Sequence, residues 1–397
     1  MLLSARPVYI VAAKRTPFGT FGGKLKDLTA TDLQVEAVKA ALAAGKVDPT
    51  TVDSVVVGNV AQTSADAPYL ARHAGLRADI PIRTPALTVN RLCGSGFQSI
   101  INAAHDILIG DAAIAVAGGT ESMSQAPFAA RDIRWGVKLS HTPKLEDTLW
   151  SALTDSYIKL PMAITAENLA AKYQVTRADA DEFALVSQQR WAKAHAEGRF
   201  NAEIAPIGIK GKKGIEKFEV DEHPRPATTI ETLAKLSPVF KADGVVTAGN
   251  ASGICDGAAA LVLASEEAVK THNLKPLARL VSYGISGVDP SIMGIGPAPA
   301  IRQALSRANL TLDKINLVEV NEAFAAQFVA VERELKLDRD ISNTNGGAIA
   351  LGHPLGASGA RIVTHLTHEL QRTNGKYAVG SACIGGGQGI AVILERV

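Results

Sequence analysis

The sequence predicts an α/β protein in which one strand–helix–strand pattern is used twice, with a separate stretch inserted into the first copy. Three observations predict it. Short apolar runs rich in β-branched residues alternate with helical runs, which implies a parallel sheet with helices on its faces. The segment Val89–Gly96 with its helix and strand is mirrored by Asn345–Gly359, the helix Ala360–Gln371 and the strand Tyr377–Ala382. In both, a glycine turn opens the helix and a glycine cluster ends the strand, the mark of an internal duplication. Residues 120–250 have a different texture, holding Trp135, Trp150, Trp191 and the lysine-rich Lys210–Lys217.

In chain order, Val8–Ala13 reads as the first core strand, ended by the turn Thr16-Pro17-Phe18-Gly19. A helix is expected over 29–44 and buried strands over Val52–Val57 and Thr84–Asn90. After Arg91-Leu92-Cys93-Gly94-Ser95-Gly96 comes a helix whose Phe97, Ile100, Ile101, Ala104, Ile107 and Leu108 form one apolar face. The strand Ala113–Ala117 then closes on Gly118-Gly119. The inserted stretch, with a polar-faced helix at 177–197, is expected to fold as a small, mostly surface-facing domain. Regular texture resumes at Gly257–Ala264, and Leu317–Val320 is a further strand. The expected units are residues 1–119 with 251–272, the insertion 120–250, and a second half over 273–397.

Composition excludes several classes of function. Lys and Arg number 41 against 39 Asp and Glu, with the signs intermixed, so no basic stripe suggests nucleic acid. No run of ~18 apolar residues is present to cross a membrane as a helix. The three cysteines, Cys93, Cys255 and Cys383, are far apart and form no Cys-x-x-Cys pair. Neither a disulfide framework nor a zinc site is expected, and a reducing compartment is implied. Arg6, Lys14, Arg15, Lys24 and Lys26 precede the first acid, Asp27, the charge bias of a mitochondrial import segment. Since the first strand starts near residue 8, such a signal is expected to overlap the fold and stay uncut; a cytoplasmic location is the alternative.

Three side chains stand out for chemistry. Cys93 sits between a strand and a helix N-terminus with glycines after it, where free N–H groups and the helix dipole favour a thiolate over the ordinary pKa of about 8.5. His353 lies in Gly352-His353-Pro354, a rigid turn that holds its imidazole in one place. Cys383 ends an apolar strand and runs into Gly385-Gly386-Gly387, whose N–H groups suit an oxyanion hole. Asn321, after the strand Leu317–Val320, reads equally as a residue facing a crevice or as the cap of the next helix. Dinucleotide, Walker, zinc-hydrolase and serine-hydrolase motifs are absent.

With these residues in view, the sequence resembles the thiolases, most nearly the mitochondrial-type branch that acts on 3-ketoacyl-CoA. The carriers are Asn90–Gly96, Gly118-Gly119-Thr120-Glu121-Ser122-Met123-Ser124, Asn250-Ala251-Ser252-Gly253, Asn321-Glu322-Ala323-Phe324, Gly352-His353-Pro354 and Cys383–Gly387. The resemblance implies two βαβαβαββ halves in a five-layer α/β/α/β/α sandwich with an inserted loop domain. It also implies CoA-dependent cleavage of 3-ketoacyl-CoA to acetyl-CoA and a shortened acyl-CoA in fatty-acid β-oxidation. Cys93 would be acylated, His353 would be its base and Cys383 the second acid/base. The enolate oxygen would be met by His353 and a water on Asn321, the acyl oxygen by the N–H groups of Cys93 and Gly385. Ser252 would lie near the pantetheine of CoA, Arg225 and Thr228 near its nucleotide end, and Met162 and Phe324 beside the acyl chain. No metal and no permanently bound cofactor is implied, CoA being a co-substrate, and the assembly would be a homodimer or homotetramer. The alternatives are a short-chain acetoacetyl-CoA thiolase, a decarboxylating ketosynthase, against which the second thiol argues, and a non-catalytic acyl-CoA or lipid binder.

Overall fold

The computed structural model describes residues 6–211 and 214–397. In the first half the chain forms β1 (Val8–Arg15), α1 (Ala30–Gly45), β2 (Ser54–Gly58), α2 (Leu70–Arg77), β3 (Ala86–Val89), α3 (Ser95–Ile109) and β4 (Ile114–Ser122). The middle stretch holds α4 (Met162–Tyr173), α5 (Arg177–Ala196), the hairpin β5 (Ile207–Gly211) and β6 (Gly214–Phe218), and the short α6 (Ile230–Ala234). Then follow β7 (Cys255–Ser265), β8 (Ala278–Gly287), α7 (Pro297–Ala308), β9 (Leu317–Val320), α8 (Ala325–Leu335), α9 (Leu355–Thr373), β10 (Tyr377–Ile384) and β11 (Gln388–Arg396).

The main strands run in the order β9-β10-β11-β8-β1-β7-β4-β2-β3. The order is symmetric about β1 and β8, which meet over only three residue pairs, Val8 to Ile10 against Leu280 to Ala278. Reading outward, β8 matches β1, β11 matches β7, β10 matches β4 and β9 matches β2. A parallel bridge from Val318 to Ser342 stands where β3 stands in the other half. This is the duplication expected from the repeated glycine turns.

The parallel sheet expected from alternation is found in part, within a mixed sheet. Only β2 with β3 and β4, and β9 with β10, are parallel. Strand β11 follows β10 through the tight turn at 385–387, and such a short link permits only antiparallel pairing. In the first half β7 returns antiparallel to β4 after the insertion. Strand β4 also does not stop at Gly118-Gly119; it stays paired with β7 from Ile114 through Ser122.

Three apolar clusters separate five layers. One lies between α1 with α2 and the first sheet, through Leu33, Val38, Leu42, Leu70, Val55 and Val116. The central one joins both sheets to α3 and α9, through Phe97, Ile100, Ile107, Ile362, Val363 and Leu366 against Ala117, Leu261, Ala382 and Val392. The third lies between the second sheet and α7 with α8. Helices α3 and α9 cross on glycine: a Cβ on Gly96 would come within 2.4 Å of the Ala360 nitrogen, and one on Gly359 within 2.4 Å of the Phe97 nitrogen. The small residues of the two turns thus serve close helix packing.

Helices α4 and α5 are not the mostly surface-facing elements expected. Leu169, Phe183 and Ala184 join the third cluster, with the Phe183 ring stacked on Phe328 of α8 at 4.1 Å. Period alone misled here, because α5 alternates small and polar residues yet buries Ser187, Gln188 and Trp191.

Candidate active site

The site lies where the N-termini of α3 and α9 meet the ends of β9 and β10. Between β3 and α3 the chain reverses through Leu92, a bulky residue held in the left-handed region at φ 46. Its neighbours secure that conformation. Asn90 Oδ1 accepts the Leu92 N–H at 2.9 Å, and Ser95 Oγ accepts the Arg91 N–H at 2.8 Å while donating to the Leu92 carbonyl at 2.7 Å. Cys93 is thereby turned into a cavity of about 170 Å³ whose lining also includes Met162, Ser252, Phe324 and His353. Met123, Trp150, Leu153, Phe240, Met293 and Leu355 make the remaining wall largely apolar.

His353 is nearly buried between two partners. Its Nδ1 lies 2.6 Å from Ser358 Oγ, and that hydroxyl donates to the Pro354 carbonyl at 2.9 Å. The hydroxyl has only one proton, so Nδ1 must be the protonated ring nitrogen. The lone pair is left on Nε2, where the Asn321 side-chain amide donates at 3.2 Å. Burial, with the Arg361 charge adding to it, pushes the imidazole pKa down to about 3, so the ring is neutral. The His353 N–H donates to the Gly253 carbonyl at 2.8 Å, tying the turn to the segment before β7 that carries Ser252. Asn321 is not a helix cap: α8 begins at Ala325 and its N-cap is Phe324.

Cys383 is fully buried and packs with Met293 and Ala323, flanked by Met162 and Phe324. The glycine run beyond it turns through positive φ at Gly386 and Gly387. The N–H groups of Gly385 and of Cys93 itself bond the Cys93 sulfur and pull its pKa down. Burial outweighs them and pushes that pKa up to about 11, which corrects the lowered value expected from the helix terminus. The Cys383 thiol is raised too, by burial and by the nearby Cys93. Both shifts favour the protonated thiol at neutral pH.

Arg225 and Thr228 are not brought to the cavity. They form a surface turn before α6, closed by the Thr228 N–H and Oγ on the Arg225 carbonyl at 3.0 and 2.7 Å. The Arg225 backbone N–H is held by Gln188 Oε1 at 2.9 Å, while its side chain is exposed. Of the lysine run, Lys212 and Lys213 lie outside the described residues, and the rest sits on β5 and β6. Cys255 is buried against Gly352, its sulfur 3.9 Å from the Leu351 carbonyl.

The sequence reading missed three polar residues. Ser358 lies in the glycine turn that opens α9, and its spacing of five from His353 is the signal in the sequence. Glu322 is buried and accepts from Ser187 Oγ at 2.7 Å, Asn343 Nδ2 at 2.9 Å and the Ile349 N–H at 3.1 Å, joining α5 to the segment before His353. Glu121 is buried at the end of β4. A lone acid in an apolar strand was the signal for it.

Comparison with known proteins agrees with this geometry. Residues 8–267 match the thiolase N-terminal domain and residues 274–396 the thiolase C-terminal domain. The chain is 64% identical to the mitochondrial 3-ketoacyl-CoA thiolase of Homo sapiens over 98% of both chains. It superposes on the crystal structure of that human enzyme with a TM-score of 0.99 at 63% identity, covering 100% of each chain. Against the human enzyme in complex with CoA the TM-score is 0.97, with 63% identity over 99% of this chain and 98% of that one. Two thiols and an imidazole gathered at the turns of a duplicated five-layer fold, with both domain matches along nearly the whole chain, make this protein a member of the thiolase family.

Proposed function

We propose that the chain is a 3-ketoacyl-CoA thiolase that uses CoA to cleave a 3-ketoacyl-CoA into acetyl-CoA and an acyl-CoA two carbons shorter. The observation that carries this reading is a neutral imidazole, unprotonated at Nε2 and so able to take a proton there, in one apolar cavity with the Cys93 thiol. Full-length identity to enzymes named for that activity supports it, as does the CoA complex of the human structure. The names of those relatives also support a mitochondrial place of action. The matrix and an uncut import signal are our finer proposal, and residues 1–5 of that signal lie outside the described residues.

The steps follow from the protonation states. His353 Nε2 takes the Cys93 proton as sulfur adds to the 3-keto carbon, whose oxygen is met by the N–H groups of Cys93 and Gly385. The C2–C3 bond then breaks. Its electron pair goes to the acetyl-CoA enolate, and C2 takes the proton of Cys383. The enolate oxygen is met by His353, now cationic, and by a water oriented by Asn321. Acetyl-CoA leaves, CoA enters and gives its thiol proton to the Cys383 thiolate. The CoA sulfur attacks the acyl group, and Cys93 departs with the proton returned by His353. Met162 and Phe324 border the acyl chain and Ser252 the pantetheine. Arg225 and Thr228, outside the cavity, suit the nucleotide end, so the middle stretch 120–250 carries that end of CoA while Ser252 lies just beyond it.

A homodimer or homotetramer is supported by β3, an edge strand with Leu87 50% exposed and Ile82 just before it 82% exposed. Thiolysis measured over acyl lengths tests the substrate range. We expect kcat/KM to be larger for 3-ketoacyl-CoAs longer than acetoacetyl-CoA; a steep fall beyond acetoacetyl-CoA would point instead to the short-chain enzyme.

Ser358→Ala removes the acceptor that keeps the proton on Nδ1. The expected result is a kcat lowered by roughly tenfold or more, within the ~10²–10⁴ that a general base supplies. KM should change little and Ser358→Thr should recover part of the rate, both read from steady-state kinetics. An unchanged kcat would leave the hydroxyl without that role.

A further inference from the structure

Among the described residues, every hydrogen bond to the buried Glu121 carboxylate comes from an N–H group. Oε1 accepts from the Asn59 side-chain amide at 3.0 Å and the Ala61 N–H at 2.9 Å, and Oε2 from the Val60 N–H at 3.1 Å and the Gly356 N–H at 2.8 Å. A protonated acid in this pocket would set its own O–H against one of those donors and break a bond.

The four bonds reach both sides of the site. Val60 and Cys93 pack on one apolar cluster of Met123, Leu149 and Leu355. The Val60 carbonyl accepts the Asn90 side-chain amide at 3.1 Å, and the oxygen of that same amide holds Leu92 in its left-handed conformation. Gly356, on the same oxygen as Val60, stands three residues after His353 at the start of α9. One carboxylate of the first half thus joins the turn bearing the thiol to the turn bearing the imidazole, which comes from the second half.

We propose that the ionised Glu121 is a positioning residue that holds Cys93 and His353 within reach for proton transfer, and that its protonation loosens the pair. The proposal rests on the reading of Cys93 as nucleophile and His353 as base. The titratable groups that interact with Glu121 are Asp256 on β7 and Cys93 before α3; Arg361 of α9, which acts on His353, is paired with Glu319 of β9. Burial pushes the Glu121 pKa up to about 7 against the pull of the Ala61, Gly356 and Val60 N–H groups, and Asp256 adds to the rise. The sign follows: the effective carboxylate is lost as pH falls through about 7, a window in which His353, lowered to about 3, does not titrate.

The test is the pH dependence of kcat for the intact enzyme and for Glu121→Gln. The parent kcat is expected to fall as pH drops below about 7. The Gln variant is expected to be slower by roughly tenfold to a hundredfold, the cost of a small misplacement of reacting groups, with KM near the parent value and no acid limb in that window. A Gln variant with the parent kcat, or with the parent acid limb, would overturn the proposal. If that variant does not fold by circular dichroism, Asn59→Ala carries the test: loss of one donor should move the acid limb to higher pH, and an unmoved limb overturns the proposal. Cys93→Ala, assayed alongside, separates the two levels. Turnover retained there defeats the reading beneath, while a dead Cys93→Ala with a parent-like Glu121→Gln defeats only the positioning role.

Discussion

Cys93→Ala is expected to lower thiolysis by roughly 10⁴-fold or more, because no other group can carry the acyl intermediate. Mass spectrometry after incubation with acyl-CoA should find the acyl adduct on the parent protein and none on the variant. The protonation state sharpens this expectation. With burial pushing the thiol up to about 11, alkylation of Cys93 by iodoacetamide should be slow at neutral pH and rise about tenfold per pH unit toward that value. Bound acyl-CoA should protect it. Fast alkylation at neutral pH would mean that the Gly385 N–H and the helix terminus outweigh burial after all.

The second large effect belongs to Cys383→Ala. Carbon–carbon cleavage should fall by roughly 10²–10⁴-fold, the range lost with a general acid/base, because no proton donor remains for the enolate carbon. Exchange of labelled CoA into an acyl-CoA should persist. That half-reaction uses the Cys93 sulfur, the His353 base and the N–H groups of Gly385 and Cys93, and the CoA thiol, far more acidic than carbon, can exchange its proton with water when Cys383 is absent. An equal loss of cleavage and exchange would assign Cys383 to the acylation step and overturn the division of labour between the thiols.

The two cysteines illustrate what could be read along the chain. Each stands beside a glycine cluster at the end of a strand or the start of a helix, a local arrangement visible in sequence order. Their pKa values were not visible, because desolvation by Met123, Leu355, Met293 and Ala323 comes from segments far away in the chain. Asn321 is a second case. Its position after an apolar strand suited a helix cap and a site residue equally. Only the start of α8 at Ala325, and the imidazole 3.2 Å away, separated the two. Glu121 was missed for the same reason, since its partners come from turns folding against each other, whereas Ser358 meets His353 within its own turn.

By itself the sequence determined the period of each strand and helix, the duplication, and the chemical identities of Cys93, His353 and Cys383, because these follow from local patterning. The tertiary structure decided the strand directions, the protonation states and the position of Arg225 and Thr228 outside the cavity. Such properties depend on which distant groups exclude water or supply a hydrogen bond, and that is set only when the two halves close around α3 and α9.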